Sequence, residues 1–196
     1  RAARLRVAAR HAVEHRTVAG LAGVAEVDTG RQETDVAAAL GSIPATPIVH
    51  DLLDRGGPYA RYAQSRLLRA PEGLTLDALT GAVQSVLDVH DALRSVFDSA
   101  ARVLEVLPVG AVSAAHVVTR VDISGLDDPS AVMVAATEEA YAALDPGSGE
   151  LVRVVFFDPG PGVQGRVLLA VHHLVVDGVS WRILVPDLAE AVAGTV

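Results

Sequence analysis

Near its C-terminal end the chain reads Val171-His172-His173-Leu174-Val175-Val176-Asp177-Gly178-Val179-Ser180-Trp181-Arg182. No other stretch gathers as many chemically competent side chains: two adjacent imidazoles, then a carboxylate and a glycine at fixed distance. An imidazole exchanges its proton near neutral pH, which suits it to general acid-base work. Residues Arg166 to His173 have the length and apolar character of a strand. Strand alternation puts Val167, Leu169, Val171 and His173 on one face and Leu168, Ala170 and His172 on the other. Rings that point apart do not converge on one ion about 2 Å from each nitrogen, so the pair is not expected to chelate a metal. The expectation is a division of labour, one ring facing a cavity and its neighbour packed or hydrogen-bonded. An incidental His-His pair at a strand end is the alternative. Gly178 is expected in a tight turn at positive φ.

The elements that must position these residues alternate in type. Ile48 to Arg55 reads as a short helix stopped by Gly56, Gly57 and Pro58. Tyr62 to Ala70 reads as a strand. Thr75 is placed to cap a helix running to about His90, with Leu76, Leu79, Val83, Val86 and Leu87 inward. Arg94 to Phe97 and Val103 to Leu107 form an expected hairpin, His116 to Ile123 a strand, and Asp128 to Leu144 a second helix. Leu151 to Phe157 and Arg166 to His173 are two further strands joined through Pro159-Gly160-Pro161-Gly162, and a last helix starts at Val179 or Ser180. This order predicts an α/β layer fold, a mixed sheet flanked by helices. Residues 1 to 27 read as helical with Thr17 as an N-cap, and residues 28 to 42, with Asp28, Gly30, Gly41 and Ser42, as a linker.

Composition narrows the function. The 196 residues are 51% hydrophobic with a formal net charge of −8, enough apolar content for a core. All 16 basic residues are arginines, scattered apart from Arg1, Arg4, Arg6 and Arg10, so nucleic-acid binding is not expected. No apolar run approaches the roughly 20 residues of a bilayer span, and no secretory signal opens the chain, so a cytoplasmic location is expected. The sequence holds no cysteine, which excludes thiol nucleophiles and disulfides. Gly160 and Gly162 open no helix, and neither a phosphate cradle nor a metal site is expected.

The His172 to Gly178 segment resembles the HHxxxDG signature of the condensation-domain superfamily of nonribosomal peptide synthetases, whose fold is related to chloramphenicol acetyltransferase. Pro44-Ala45-Thr46-Pro47-Ile48 resembles the entry motif of that family, and His90-Asp91-Ala92-Leu93-Arg94-Ser95-Val96-Phe97 its H-[DE]-x-L-R-x-x-F segment. The resemblance spans about residues 43 to 194 and implies that residues 43 to 196 are the N-terminal lobe of such a domain, without its C-terminal lobe. It implies that His173 faces the substrate channel as the acid-base or positioning residue, with His172 and Gly178 in support. It implies too that Asp177 is structural, ion-paired with Arg94. The alternative for Arg94 is a solvated cap on the preceding helix.

Ser180-Trp181 directly after Asp177-Gly178 resembles the epimerization subtype. Residues 10 to 25 resemble the closing helix of a peptidyl carrier domain, whose pantetheine-bearing serine is absent here. The resemblance therefore implies a carrier domain as partner, phosphopantetheine as the arm presenting the substrate, and inversion at Cα of an aminoacyl or peptidyl thioester. A carboxylate from the C-terminal lobe acts on the opposite face in that family, and the fragment alone is expected to be inactive. His50-Asp51-Leu52 departs from the aromatic pattern usual after the entry motif. Peptide-bond-forming condensation is the first alternative and a non-catalytic docking or scaffold domain the second.

Overall fold

The computed structural model describes residues 5–7, 11, 14, 15, 17–27 and 40–195. Arg1, Arg4, Arg10 and residues 28 to 39 of the expected linker lie outside them. The chain divides into two compact units, Arg1–Asp35 and Val36–Val196.

In the first unit β1 (Leu5–Arg6) is followed by α1 (Val18–Val24) and β2 (Glu26–Val27), and β1 pairs antiparallel with β2. Thr17 caps α1 as expected, its hydroxyl accepting from Gly20 N at 3.1 Å. The expectation of helix throughout residues 1 to 27 is corrected by the two short strands. With Gly20, Gly23, Val18 and Val24 among its seven residues, α1 has little helical propensity with which to extend.

The second unit opens with β3 (Gly41–Pro44), so Gly41 and Ser42 belong to a strand and not to a linker. Then follow α2 (Pro47–Arg55), β4 (Ala63–Arg69) and α3 (Leu76–Val89). A 3₁₀ turn, Asp91–Arg94, leads into β5 (Ser95–Asp98) and β6 (Val103–Val106). One helical turn, α4 (Ala114–Val117), precedes β7 (Val118–Asp122), where a strand from His116 was expected. The chain continues through α5 (Ser130–Ala142), β8 (Val152–Asp158), β9 (Arg166–His172) and α6 (Trp181–Thr195).

Two sheets result. β4-β9-β8-β7 is mixed, antiparallel except for the β7–β8 pair, and β3-β6-β5 is antiparallel throughout. β9 is buried from Val167 to His172, because helices cover both faces of its sheet; a strand so placed is apolar without alternation. Val167, Leu169 and Val171 join Leu79, Val83, Leu87, Leu184 and Leu188 of α3 and α6 in the main core. Leu168 joins Ala136 and Ala140 of α5 in a smaller one. α3 forms because its apolar positions recur on one face and Thr75 accepts from Ala78 N at 3.2 Å. At the far end of α2, Gly56 turns the chain at φ 70, a left-handed conformation that suits glycine. No helix among the described residues is long and apolar enough to cross a membrane.

Candidate active site

The alternation along β9 sets the two histidines apart. His172 has the parity of Leu168 and Ala170 and is fully buried. Its Nε2 lies 2.9 Å from Tyr59 O, and Leu174 N donates to its Nδ1 at 3.2 Å. A carbonyl accepts and an amide N–H donates, so the ring proton sits on Nε2 and the imidazole is neutral. Burial pushes the His172 pKa below its ordinary value of 6.5, against the raising effect of the Tyr59 carbonyl.

His173, one residue past the end of β9, is half-buried. Its backbone N–H donates to Tyr62 O at 2.7 Å, and its ring stacks on that of Tyr62 with centroids 4.7 Å apart. Nδ1 lies 2.7 Å from Val176 O, and Nε2 lies 2.7 Å from the amide nitrogen of Gln64. Gln64 in turn accepts from Trp181 Nε1 at 2.6 Å. The register explains the meeting: Gln64 pairs with Val171, so Gln64, Arg66 and His173 share the face covered by α6. The Arg66 guanidinium carbon sits 4.7 Å from the Trp181 ring centre, a cation-π contact that holds the indole. Trp181 is only 5% exposed.

Asp177 and Arg94 are not brought together as expected. Asp177 Oδ1 accepts from Val179 N at 2.9 Å, from Ser180 N at 2.8 Å and from Ser180 Oγ at 2.8 Å, while Asp177 N donates to Ser180 Oγ at 3.0 Å. These bonds, the Ser180 backbone N–H foremost, hold the Asp177 carboxyl below its ordinary range. The loop carboxylate serves to start α6, whose first carbonyl acceptors are Val179 O and Ser180 O.

Arg94 is 0% exposed. It donates through Nη1 to Leu87 O at 2.6 Å and Asp88 O at 2.9 Å, through Nε to Leu107 O at 3.3 Å and through Nη2 to Asp91 Oδ1 at 2.8 Å. The capping alternative is the one the structure takes, with the guanidinium buried and not solvated. Orphan carbonyls at the end of α3 need donors, and the fork supplies them.

Gly178 is also corrected. Its φ is not positive, and a Cβ there would meet nothing within 4 Å. The turn after the histidines is made by side-chain bonds of Asp177 and Ser180, with no left-handed residue.

Sequence reasoning missed Gln64 and Tyr62. The signal was an amide and a charge, Gln64 and Arg66, two apart in a strand whose face meets a helix. It missed as well the bond between His90 Nε2 and Asp187 Oδ2 at 2.9 Å, which joins the end of α3 to α6. Among the described residues no group of three or more histidines and carboxylates is placed to hold a metal ion.

Residues 55–194 match the family described as "Condensation domain". A linear gramicidin synthase of Brevibacillus parabrevis is 32% identical over 195 residues, covering 95% of this chain and 2% of that protein. Chondramide synthase of Chondromyces crocatus is 34% identical over 184 residues, covering 91% of this chain and 5% of that protein. This chain thus corresponds to a small part of each. Among solved structures, the epimerization domain from the third module of tyrocidine synthetase B superposes with a TM-score of 0.67 at 26% identity, over 79% of this chain and 35% of that one. The condensation domain from Monacolin K polyketide synthase superposes with a TM-score of 0.64 at 15% identity, over 80% and 35%, a likeness of fold alone.

Proposed function

The chain belongs to the condensation-domain family, and from that premise we propose that it is the His173-bearing lobe of an epimerization domain in a nonribosomal peptide synthetase. The reaction is inversion at Cα of an L-aminoacyl or peptidyl thioester, tethered as substrate to the phosphopantetheine arm of a carrier domain of the same module. We read residues 1 to 27 as the tail of that carrier and assign the protein to the cytoplasm.

The observation that carries the reading is the setting of His173. Its Nδ1 is anchored on the Val176 carbonyl and its plane is held by the Tyr62 ring, so Nε2 is aimed by structure and not by chance. A thioester acidifies the α-proton. His173 Nε2 takes that proton from one face, or delivers one there, and a carboxylate serves the other. Ser180-Trp181 supports the epimerization subtype, and so does the likeness to the tyrocidine synthetase epimerization domain.

An amide-forming condensation domain places the same histidine beside an acceptor amine, and one experiment separates the two. The intact parent module, its carrier loaded with an L-aminoacyl group, is incubated in deuterated buffer; α-deuterium uptake and the chirality of the released amino acid are followed. Uptake with L/D mixing, lowered about 10²- to 10⁴-fold by His173→Ala, is expected. Peptide formation with an acceptor carrier, without exchange, would mean that the domain condenses. Activity of either kind that survives His173→Ala would leave the docking or scaffold role.

A further inference from the structure

The partners around His173 leave its proton only one place to be. Trp181 Nε1 donates and never accepts, so the Gln64 atom 2.6 Å from it is the amide oxygen. The Gln64 amide nitrogen then faces His173 Nε2 at 2.7 Å, where it donates and the ring nitrogen accepts. On the other side of the ring the Val176 carbonyl accepts at 2.7 Å, so Nδ1 carries the hydrogen. Neither end of this chain of bonds can reverse: one is an indole N–H and the other a backbone carbonyl.

We infer that Gln64 is a positioning residue of this site, locked by Trp181, which selects the Nδ1–H tautomer of His173 and reserves Nε2 as the atom that exchanges the substrate proton. The inference deepens the acid-base reading of His173 and rests on it. The resting amide occupies the lone pair of Nε2, so the substrate reaches the base by displacing Gln64. Once Nε2 is protonated, both ring nitrogens donate. When Gln64 comes back to a ring in that state, it must turn its oxygen to the ring, which sets its NH₂ against the Trp181 N–H, or leave the ring donor facing donor. Either state holds one opposed pair of donors, so the array is fully satisfied only with Nε2 unprotonated. In an inversion the new α-proton comes from the opposite face, and His173 must lose the one it has taken before the next turnover.

Tyr62 stacks on the His173 ring, His172 adjoins it in sequence, Asp177 lies in the loop that follows, and Arg66 reaches the array through the Trp181 face. All are retained in the variants below.

The test uses the intact parent module with ¹⁵N-labelled histidine rings, the His173 signals assigned by their loss in His173→Asn. Wild type is expected to show a protonated Nδ1 and an unprotonated Nε2 at neutral pH. Gln64→Glu offers an acceptor to both Trp181 and an imidazolium. It is expected to protonate Nε2 and move the acid limb of the exchange rate upward by on the order of one pH unit. Trp181→Phe frees the amide to turn its oxygen to Nε2, so protonation of that nitrogen is no longer opposed and the limb moves the same way by less. Gln64→Leu lowers kcat more than KM.

A wild-type ring protonated on Nε2, or unchanged nitrogen shifts and pH profiles in Gln64→Glu and Trp181→Phe, would overturn the inference. Thermal melting checks that each variant is folded, and Trp181→Phe keeps an aromatic ring in the core if Gln64→Leu is not. Exchange that survives His173→Ala would instead remove the acid-base reading, while the nitrogen shifts would still report whether Gln64 sets the tautomer.

Discussion

His172 and His173 are neighbours at one strand end, yet their hydrogen bonds assign them opposite tautomers. His172 carries its proton on Nε2 and is held by two backbone groups, Tyr59 O and Leu174 N. His173 carries its proton on Nδ1 and faces, through Nε2, a side chain. Backbone partners are fixed by the fold and cannot leave without unfolding something. A side-chain partner can rotate away and make room. Arg94 belongs with His172 on this scale: three of its four acceptors are main-chain carbonyls. A polar group satisfied by backbone is holding the structure together, and one satisfied by a side chain is free to do chemistry.

The largest effect expected from that contrast is at Arg94. Arg94→Met keeps the buried stem and removes the fork, leaving the Leu87, Asp88 and Leu107 carbonyls without their donor. The cost is about 3 to 5 kcal/mol, read as a fall in the denaturant midpoint of unfolding. A double-mutant cycle of Arg94 with Asp91 should show coupling, and one with Asp177 should be additive to about 0.5 kcal/mol. Coupling to Asp177 instead would restore the ion pair expected from sequence, and with it an Arg94 that reaches the loop after the histidines.

Much of this was legible beforehand. Thr75, Thr17, Gly56 and the apolar period of α3 each act locally, so the sequence alone placed them. The parity that separates His172 from His173 is also local, a property of any strand. What could not be read was the partner across a sheet or loop. Gln64 meets His173 from 109 positions away, by a β4–β9 register that no nearby residue encodes. The pairing of Arg94 with Asp177 is implied by the family resemblance and not by their local sequence. Each found hydrogen-bonding groups of its own within seven and three residues, apart from Leu107 O on the Arg94 fork. The turn at Gly178 was assigned to glycine, whereas Asp177 and Ser180 make it.

The next effect sharpens the same contrast through pH. The buried His172 has its folded pKa below the unfolded value near 6.5. Below that pH the unfolded chain binds a proton that the folded one refuses. The His172 contribution is therefore whole above about pH 6.5 and declines as pH falls toward the depressed folded value. Stability should fall as the pH drops from 7 through this range, at a slope no steeper than roughly 1.4 kcal/mol per pH unit for one proton. The carboxyls of Asp177, Asp158, Asp128, Asp122 and Asp54, all held below 3.8, weaken the fold only in more acid solution. Thermal melts of wild type and His172→Gln across this range are expected to converge toward low pH. Parallel curves would mean that His172 does not refuse the proton.

The smallest expected effect tests where the backbone stops mattering. Gly178→Ala adds a methyl group to a residue with no positive φ and no atom within 4 Å of the new Cβ. Nothing in the fold opposes it, and reduced freedom of the unfolded chain favours it, so stability should change by no more than about 0.5 kcal/mol in either direction. Because folding is indifferent, any effect on rate has to come from what approaches this loop during the reaction. Unchanged stability with unchanged α-proton exchange would make Gly178 a plain turn residue beside a site built by Asp177 and Ser180. On the proposed function, unchanged stability with a rise in KM would place the incoming thioester arm in the open space over residue 178, a few residues from His173. The glycine would then serve access to the side-chain-satisfied histidine, and its role would lie in substrate binding and not in the turn.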